Sequence, residues 1–155
     1  MKNLKYLFLF ISTIFILSCG SNSSESSSAK GNHSTQEVAK TKMANHIEVL
    51  DFYGAHRCVT CKAIEANTRY TLETYFPDEV KSGKIVFRTV NVDDEANYKL
   101  AEQFEAAGTA LFLNTVKNGK ETHVNLTNQA FEKGRDQDAF SDELKFFIDL
   151  QLKEI

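Results

Sequence analysis

Residues 46–65 read HIEVLDFYGAHRCVTCKAIE. Ile47, Val49, Leu50, Phe52 and Tyr53 make the first eight of them β-branched and aromatic enough for a buried strand, and Gly54 ends it. A short loop leads to residues 61–76, where Ile64, Leu72, Tyr75 and Phe76 recur at near-helical spacing as inward positions. Pro77, the single proline of the chain, is expected to stop this helix. Cys58 and Cys61 therefore stand where a strand hands over to a helix. Free N–H groups and the positive end of the helix dipole stabilise an anion there, which lowers the pKa of the first thiol. Cys58 is predicted to be the exposed nucleophile and Cys61, one turn further in, the buried resolving thiol. Their spacing permits an intramolecular disulfide that resolves a mixed disulfide. Arg57 cannot lose its charge and is expected to add positive potential beside a Cys58 thiolate. His56 reads as a solvated loop residue, although proton transfer near neutral pH is open to it.

Two other readings of the pair stay open. An inert stabilising disulfide needs only the two sulfurs, but a loop so short restricts the unfolded chain rather little. A soft-metal or metalloid site needs two thiolates with His56 as a further ligand, whereas zinc usually takes four ligands and no second Cys or Cys-His pair follows at suitable spacing.

Downstream, residues 84–92 (KIVFRTVNV) form the clearest strand, and their near-continuous apolar run suits a strand covered on both sides. Asp93 and Asp94 offer an N-cap and a negative first turn to a helix carrying Ala96, Leu100, Ala101, Phe104 and Ala107, with Gly108 closing it. Residues 111–117 and 120–126 flank Asn118-Gly119, the strongest short hairpin signal a sequence offers. Phe131 falls in the following loop and reads as core. A last amphipathic helix over 138–153 places Phe140, Leu144, Phe147, Ile148 and Leu152 on one face. His123 is expected to be solvated on an edge strand, and His46 begins the first strand. The order βαβαββα predicts an α/β fold: a mixed sheet of about four strands, parallel across the strand-helix-strand unit and antiparallel at the hairpin, between helices.

Upstream, Lys2 and Lys5 precede an apolar stretch over 6–17 that ends at Ile16-Leu17-Ser18-Cys19. At fewer than the roughly 20 residues a bilayer needs, it reads as a removable signal over 1–18. The Ile-Leu-Ser-Cys run resembles the lipobox of bacterial lipoproteins, which makes Cys19 the expected lipidation site. Residues 19–45 turn to Ser, Asn, Lys and Gly, bury too little to offset their ordering entropy and read as a flexible tether, with a short strand over 36–41 permitted. About 25 such residues hold a domain on the order of 25–30 Å from its anchor. What remains, 46–155, is the size of one domain with its own core. A net charge of −3 without a basic block argues against nucleic acid as a partner. No Ser-His-Asp set, phosphate loop or paired catalytic carboxylates stand out, and no cofactor is expected.

Residues 49–53 (VLDFY) followed by Cys58-Val59-Thr60-Cys61-Lys62 resemble the active-site segment of the thioredoxin superfamily, with the likeness spanning 46–155. Within it, Phe52-Tyr53-Gly54, residues 57–65 and Val90-Asn91-Val92-Asp93 resemble ArsF-type thioredoxin-like subunits associated with nitrophenyl-compound nitroreduction. The resemblance implies a thioredoxin-like fold, thiol-based electron transfer from a single-domain monomer, a membrane dithiol carrier as electron source, and a protein or small-molecule disulfide as substrate. It implies that Asp51 assists proton transfer, although the loop from it to Cys58 is one residue longer than in thioredoxin. It also implies that Thr109 takes the place of the cis-proline opposite the dithiol, by a trans bond or a costly non-proline cis bond. Arg57 replaces the tryptophan of the thioredoxin motif and Val59-Thr60 replace Gly-Pro, so the redox potential does not carry over. These readings together predict an extracytoplasmic, membrane-tethered thiol-disulfide oxidoreductase or electron-transfer protein of the bacterial cell envelope. The alternatives are the soft-metal module and a non-catalytic subunit of a nitroreductase system.

Overall fold

A computed structural model describes residues 45–155; the signal-like segment 1–18, Cys19, the tether up to residue 44 and the permitted strand over 36–41 lie outside the described residues. The sheet is mixed, in the order β2-β1-β3-β4. β1 (His46–Tyr53) runs parallel to β2 (Ile85–Asn91) and antiparallel to β3 (Ala110–Lys117), which pairs antiparallel with β4 (Lys120–Asn125). Asn118 and Gly119 both take positive φ, 54° and 79°, as a two-residue hairpin that follows the sheet twist requires. The expectation that residues 84–92 are covered on both sides is corrected. β2 lies at the sheet edge with Arg88 and Thr89 exposed, while the doubly covered strands are β1 and β3.

Alternation along β1 sends Ile47 and Val49 to one face, Leu50 and Phe52 to the other. The first face packs on α1 (Val59–Tyr75), α4 (Thr127–Lys133) and α5 (Gln137–Leu152) through Ile64, Leu72, Ala130, Phe140, Leu144 and Ile148. The second is covered by the short α3 (Tyr98–Gln103) and the turn after it. There Phe52, Phe104 and Phe112 meet with ring centroids 5.2–5.8 Å apart. This strand order with helices on both faces is the α/β thioredoxin-like architecture.

Several local expectations change. Pro77 ends α1 but also opens α2 (Pro77–Ser82), where a first-turn residue needs no N–H donor. Tyr75 points outward, 41% exposed, while Phe76 turns in. The helix after β2 is not closed by Gly108. A 3-10 turn at Glu95–Asn97 leads into α3, which ends at Phe104. Glu105 then takes φ 51°; its N–H donates to the Glu102 carbonyl at 3.0 Å and that of Ala106 to the Ala101 carbonyl at 2.8 Å. That is a Schellman motif with glutamate in the left-handed position that glycine usually fills. Residues 127–133 are helical, so Phe131 sits on α4, and it is 41% exposed rather than core. His123 stands exposed on the edge strand β4 as expected, with its ring stacked on Phe104 at 4.1 Å, and His46 opens β1 and is buried.

Candidate active site

β1 ends at Tyr53, and the turn that carries residues 54–57 delivers Cys58 to the first position before α1. Asp93 fixes that turn: its Oδ2 accepts the Ala55 N–H at 2.6 Å. Asp93 and Asp94 are expected from sequence to offer an N-cap and a negative first turn to the next helix. Asp94 supplies the cap, at the start of the 3-10 turn, accepting from the Ala96 N–H at 3.0 Å. Cys58 is itself the N-cap of α1, its sulfur accepting the Cys61 N–H at 3.0 Å. No acidic side chain occupies the first turn of α1, so nothing on the helix opposes its positive end. Cys58 and Cys61 are joined as a disulfide with their Cα atoms 5.0 Å apart. Cys58 is exposed and Cys61 is 6% exposed, which is the predicted division into an outer and an inner sulfur. Beside Cys58 lies an open depression lined by Ala55, His56, Arg57 and Lys62, and Val59 projects at 74% exposure.

Asp51 lies wholly buried on the α1 side of β1, linked to the first turn of α1 through Arg57. Burial lifts its carboxyl from the usual 3.8 up to about 7; Arg57 and, more weakly, Arg69 pull it back, while Glu65 pushes it further up. Arg57 does not extend into solvent beside Cys58. Its guanidinium folds back under the first turn of α1, with Nη2 3.5 Å from Asp51 Oδ2 and donating to the Cys61 carbonyl at 3.3 Å. Nη1 donates to Glu65 Oε2, and the Tyr53 ring lies 4.7 Å below the guanidinium carbon. The approach to Asp51 is an ion-pair distance and not a hydrogen bond, and neither Asp51 oxygen accepts one from the described residues. Much of the Arg57 charge is therefore met by two carboxylates, which attenuates what it adds at Cys58.

Glu65 was not singled out from sequence, yet it organises this corner. Its Oε1 accepts from Arg69 Nε and Nη2 at 3.1 and 2.9 Å, and its Oε2 from Arg57. Partial burial pushes the Glu65 carboxyl up, but the hydrogen bonds from the two arginines outweigh it and hold it below its usual value. The Glu65-Arg69 pair was legible as an i, i+4 spacing; the reach back to Arg57 was not. Thr109 precedes β3, whose register sets Ala110 opposite Phe52, so it enters at the sheet end where the dithiol loop departs. The described residues contain no cis peptide bond, which makes the bond at Thr109 trans. Among them, no group of three or more His, Cys, Asp or Glu side chains gathers as a metal site.

No protein-family model matches the chain, and no curated protein does. Among solved structures it is similar to the X-ray structure of Fasciola hepatica thioredoxin, at 19% identity over 58% of this chain and 78% of that one, with a TM-score of 0.39. It is also similar to a structure described as that of a malarial protein, at 20% identity over 57% of this chain and 96% of that one, with a TM-score of 0.37. Likenesses this distant carry no site or substrate across. The α/β thioredoxin-like fold is read from strand order, strand direction and the placing of the dithiol between β1 and α1.

Proposed function

We propose that this protein is a membrane-tethered, extracytoplasmic thiol-disulfide oxidoreductase working through Cys58 and Cys61. The observation that carries the reading is the exposed Cys58 sulfur at the start of α1, receiving the Cys61 N–H and bonded to a buried partner sulfur. In the reduced protein the same N–H and helix terminus stabilise a thiolate on Cys58. That thiolate attacks one sulfur of a substrate disulfide; the substrate S–S bond breaks, one thiolate leaves and the other half stays bonded to Cys58. Cys61 gives its proton to the Asp51 carboxylate and attacks the Cys58 sulfur. This forms the intramolecular disulfide and releases the second substrate thiolate. The substrate gains two electrons, the protein loses two, and an external dithiol returns them by the reverse exchange. Asp51 suits the proton step, because a carboxyl lifted to about 7 both accepts and releases a proton near neutral pH. Arg57 orients Asp51 and the Cys61 peptide from one nitrogen, and Thr109 offers its backbone at the sheet end facing the substrate.

Tethering rests on Ile16-Leu17-Ser18-Cys19, with Cys19 as the lipid-bearing residue; no helix among the described residues is long and apolar enough to cross a membrane. A membrane dithiol carrier is the fitting electron source for a reductase in an oxidising compartment. The likeness of residues 57–65 to ArsF-type subunits supports delivery of those electrons to a partner reductase. The test is turnover with an insulin-type protein disulfide and dithiothreitol as reductant. Cys58→Ser should abolish it, while Cys61→Ser should accumulate a mixed disulfide visible by mass spectrometry. A protein that instead purifies with stoichiometric soft metal, lost in both variants, and shows no turnover would be a metal-binding module.

A further inference from the structure

We propose that Glu65 is a positioning residue for the buried carboxylate: by holding the Arg57 guanidinium from the α1 side, it keeps Asp51 without a hydrogen-bond donor and so ready to take up a proton. The inference rests on the reading of Asp51 as the proton acceptor for Cys61.

One guanidinium stands between two carboxylates and serves them unequally. Nη1 is hydrogen bonded to Glu65 Oε2, whereas Nη2 only approaches Asp51 Oδ2 at 3.5 Å while it donates to the Cys61 carbonyl. Glu65 can hold this grip because its other oxygen is anchored by two bonds from Arg69, itself steadied over the Phe87 ring at 4.8 Å. Arg69, Glu65 and Arg57 thus form a chain of alternating charge from β2 across α1 to the dithiol loop, and Asp51 lies at its end. The charges acting on Asp51 are Arg57 from the loop and Glu65 and Arg69 from α1. Its neighbours across the sheet, Thr89 on β2 and Leu111 on β3, are uncharged.

A guanidinium released from Glu65 has one remaining carboxylate within reach, and a direct hydrogen bond to an ionised Asp51 favours that form. Losing the negative charge of Glu65 acts in the same direction. Losing Arg69 acts in the opposite one, because it removes a positive charge and leaves Glu65 with Arg57 alone. Two neutralisations on one helix face therefore move Asp51 in opposite senses, a pattern that general loosening of the helix does not produce.

The experiment is a pH titration of the Asp51 carboxyl carbon by NMR in the oxidised protein, which needs no turnover. The wild-type midpoint is expected near 7. In Glu65→Gln it should fall by about one pH unit or more, and in Arg69→Gln it should rise. A Glu65→Gln midpoint that stays in place or rises overturns the proposal, as does movement of both variants in one direction. The pH profile of disulfide resolution, measured on the same proteins, should follow the carbon titration. If the midpoint moves and the profile does not, the proton role of Asp51 fails while the hold of Glu65 on Arg57 stands.

Discussion

Asp51→Asn should make the oxidised protein more stable at pH 8 and slightly less stable at pH 4. The side chain is wholly buried, and its carboxyl titrates near 7 in the fold against 3.8 in an ordinary environment. In the unfolded chain Asp51 loses its proton around 3.8; in the folded chain it keeps it until about 7. Between those values the unfolded state binds fewer protons, so stability falls as pH rises through the window and is lowest once the folded group has ionised. The difference corresponds to about 4 kcal/mol as an upper value. Asparagine has no proton to lose, so the slope disappears. It still buries an amide where neither Asp51 oxygen had a hydrogen bond, a cost that is the same at every pH. That cost reduces the expected gain at pH 8 to roughly 2–3 kcal/mol. With urea m-values of about 1–3 kcal/mol/M for small proteins, the denaturation midpoint should move up by about 1–3 M at pH 8. Urea titrations of both oxidised proteins at intervals from pH 4 to pH 8 read this directly. Parallel dependences, or a wild type that stays the more stable at pH 8, would refute the claim that Asp51 is held in the fold at a cost to stability.

Gly134 follows α4 where it crosses α1, and a Cβ there would stand 2.5 Å from the Ala130 carbonyl oxygen and 3.0 Å from side-chain carbons of Ile64 and Thr60. Gly134→Ala should therefore cost about 1–3 kcal/mol by overpacking, read as a lower thermal midpoint. Glu105→Gly removes the strain of a left-handed glutamate and should raise stability by roughly 0.5–1 kcal/mol, with unchanged redox behaviour. Asp93→Ala removes the acceptor for the Ala55 N–H, so hydrogen exchange at that amide should speed up markedly while exchange in the middle of β1 stays as it was. Ile148→Ala, at a fully buried position on α5, should cost about 2–5 kcal/mol in urea denaturation.

The elements that were legible carry strong local signals. The Asn118-Gly119 turn and the strands beside it follow from backbone sterics. β1 follows from a run of β-branched and aromatic residues, and α5 from five apolar residues on one face. The missed elements are those whose local signals compete. Residues 127–133 lack a strong cap and a long periodic run, so α4 becomes visible only because Leu126 and Ala130 are drawn into the core. α3 stops early because the chain turns through Glu105 to bring Ala106 and Ala110 against Phe52 and Phe112, a demand set by the sheet and not by helix propensity.

The strand-to-helix junction, the pair of sulfurs placed on it and the outward-inward order of that pair follow from the residues alone. All three depend on neighbours within a few residues and on the period of the apolar pattern. The surroundings of the pair arise from packing: Asp51 buried beside Arg57, Arg57 turned inward instead of out, Glu65 gripping Arg57, and Asp93 tying down the loop. These are contacts between charged groups on different elements, and their strength depends on burial and on distances of a few ångströms. Neither quantity exists until the sheet and α1 have packed together.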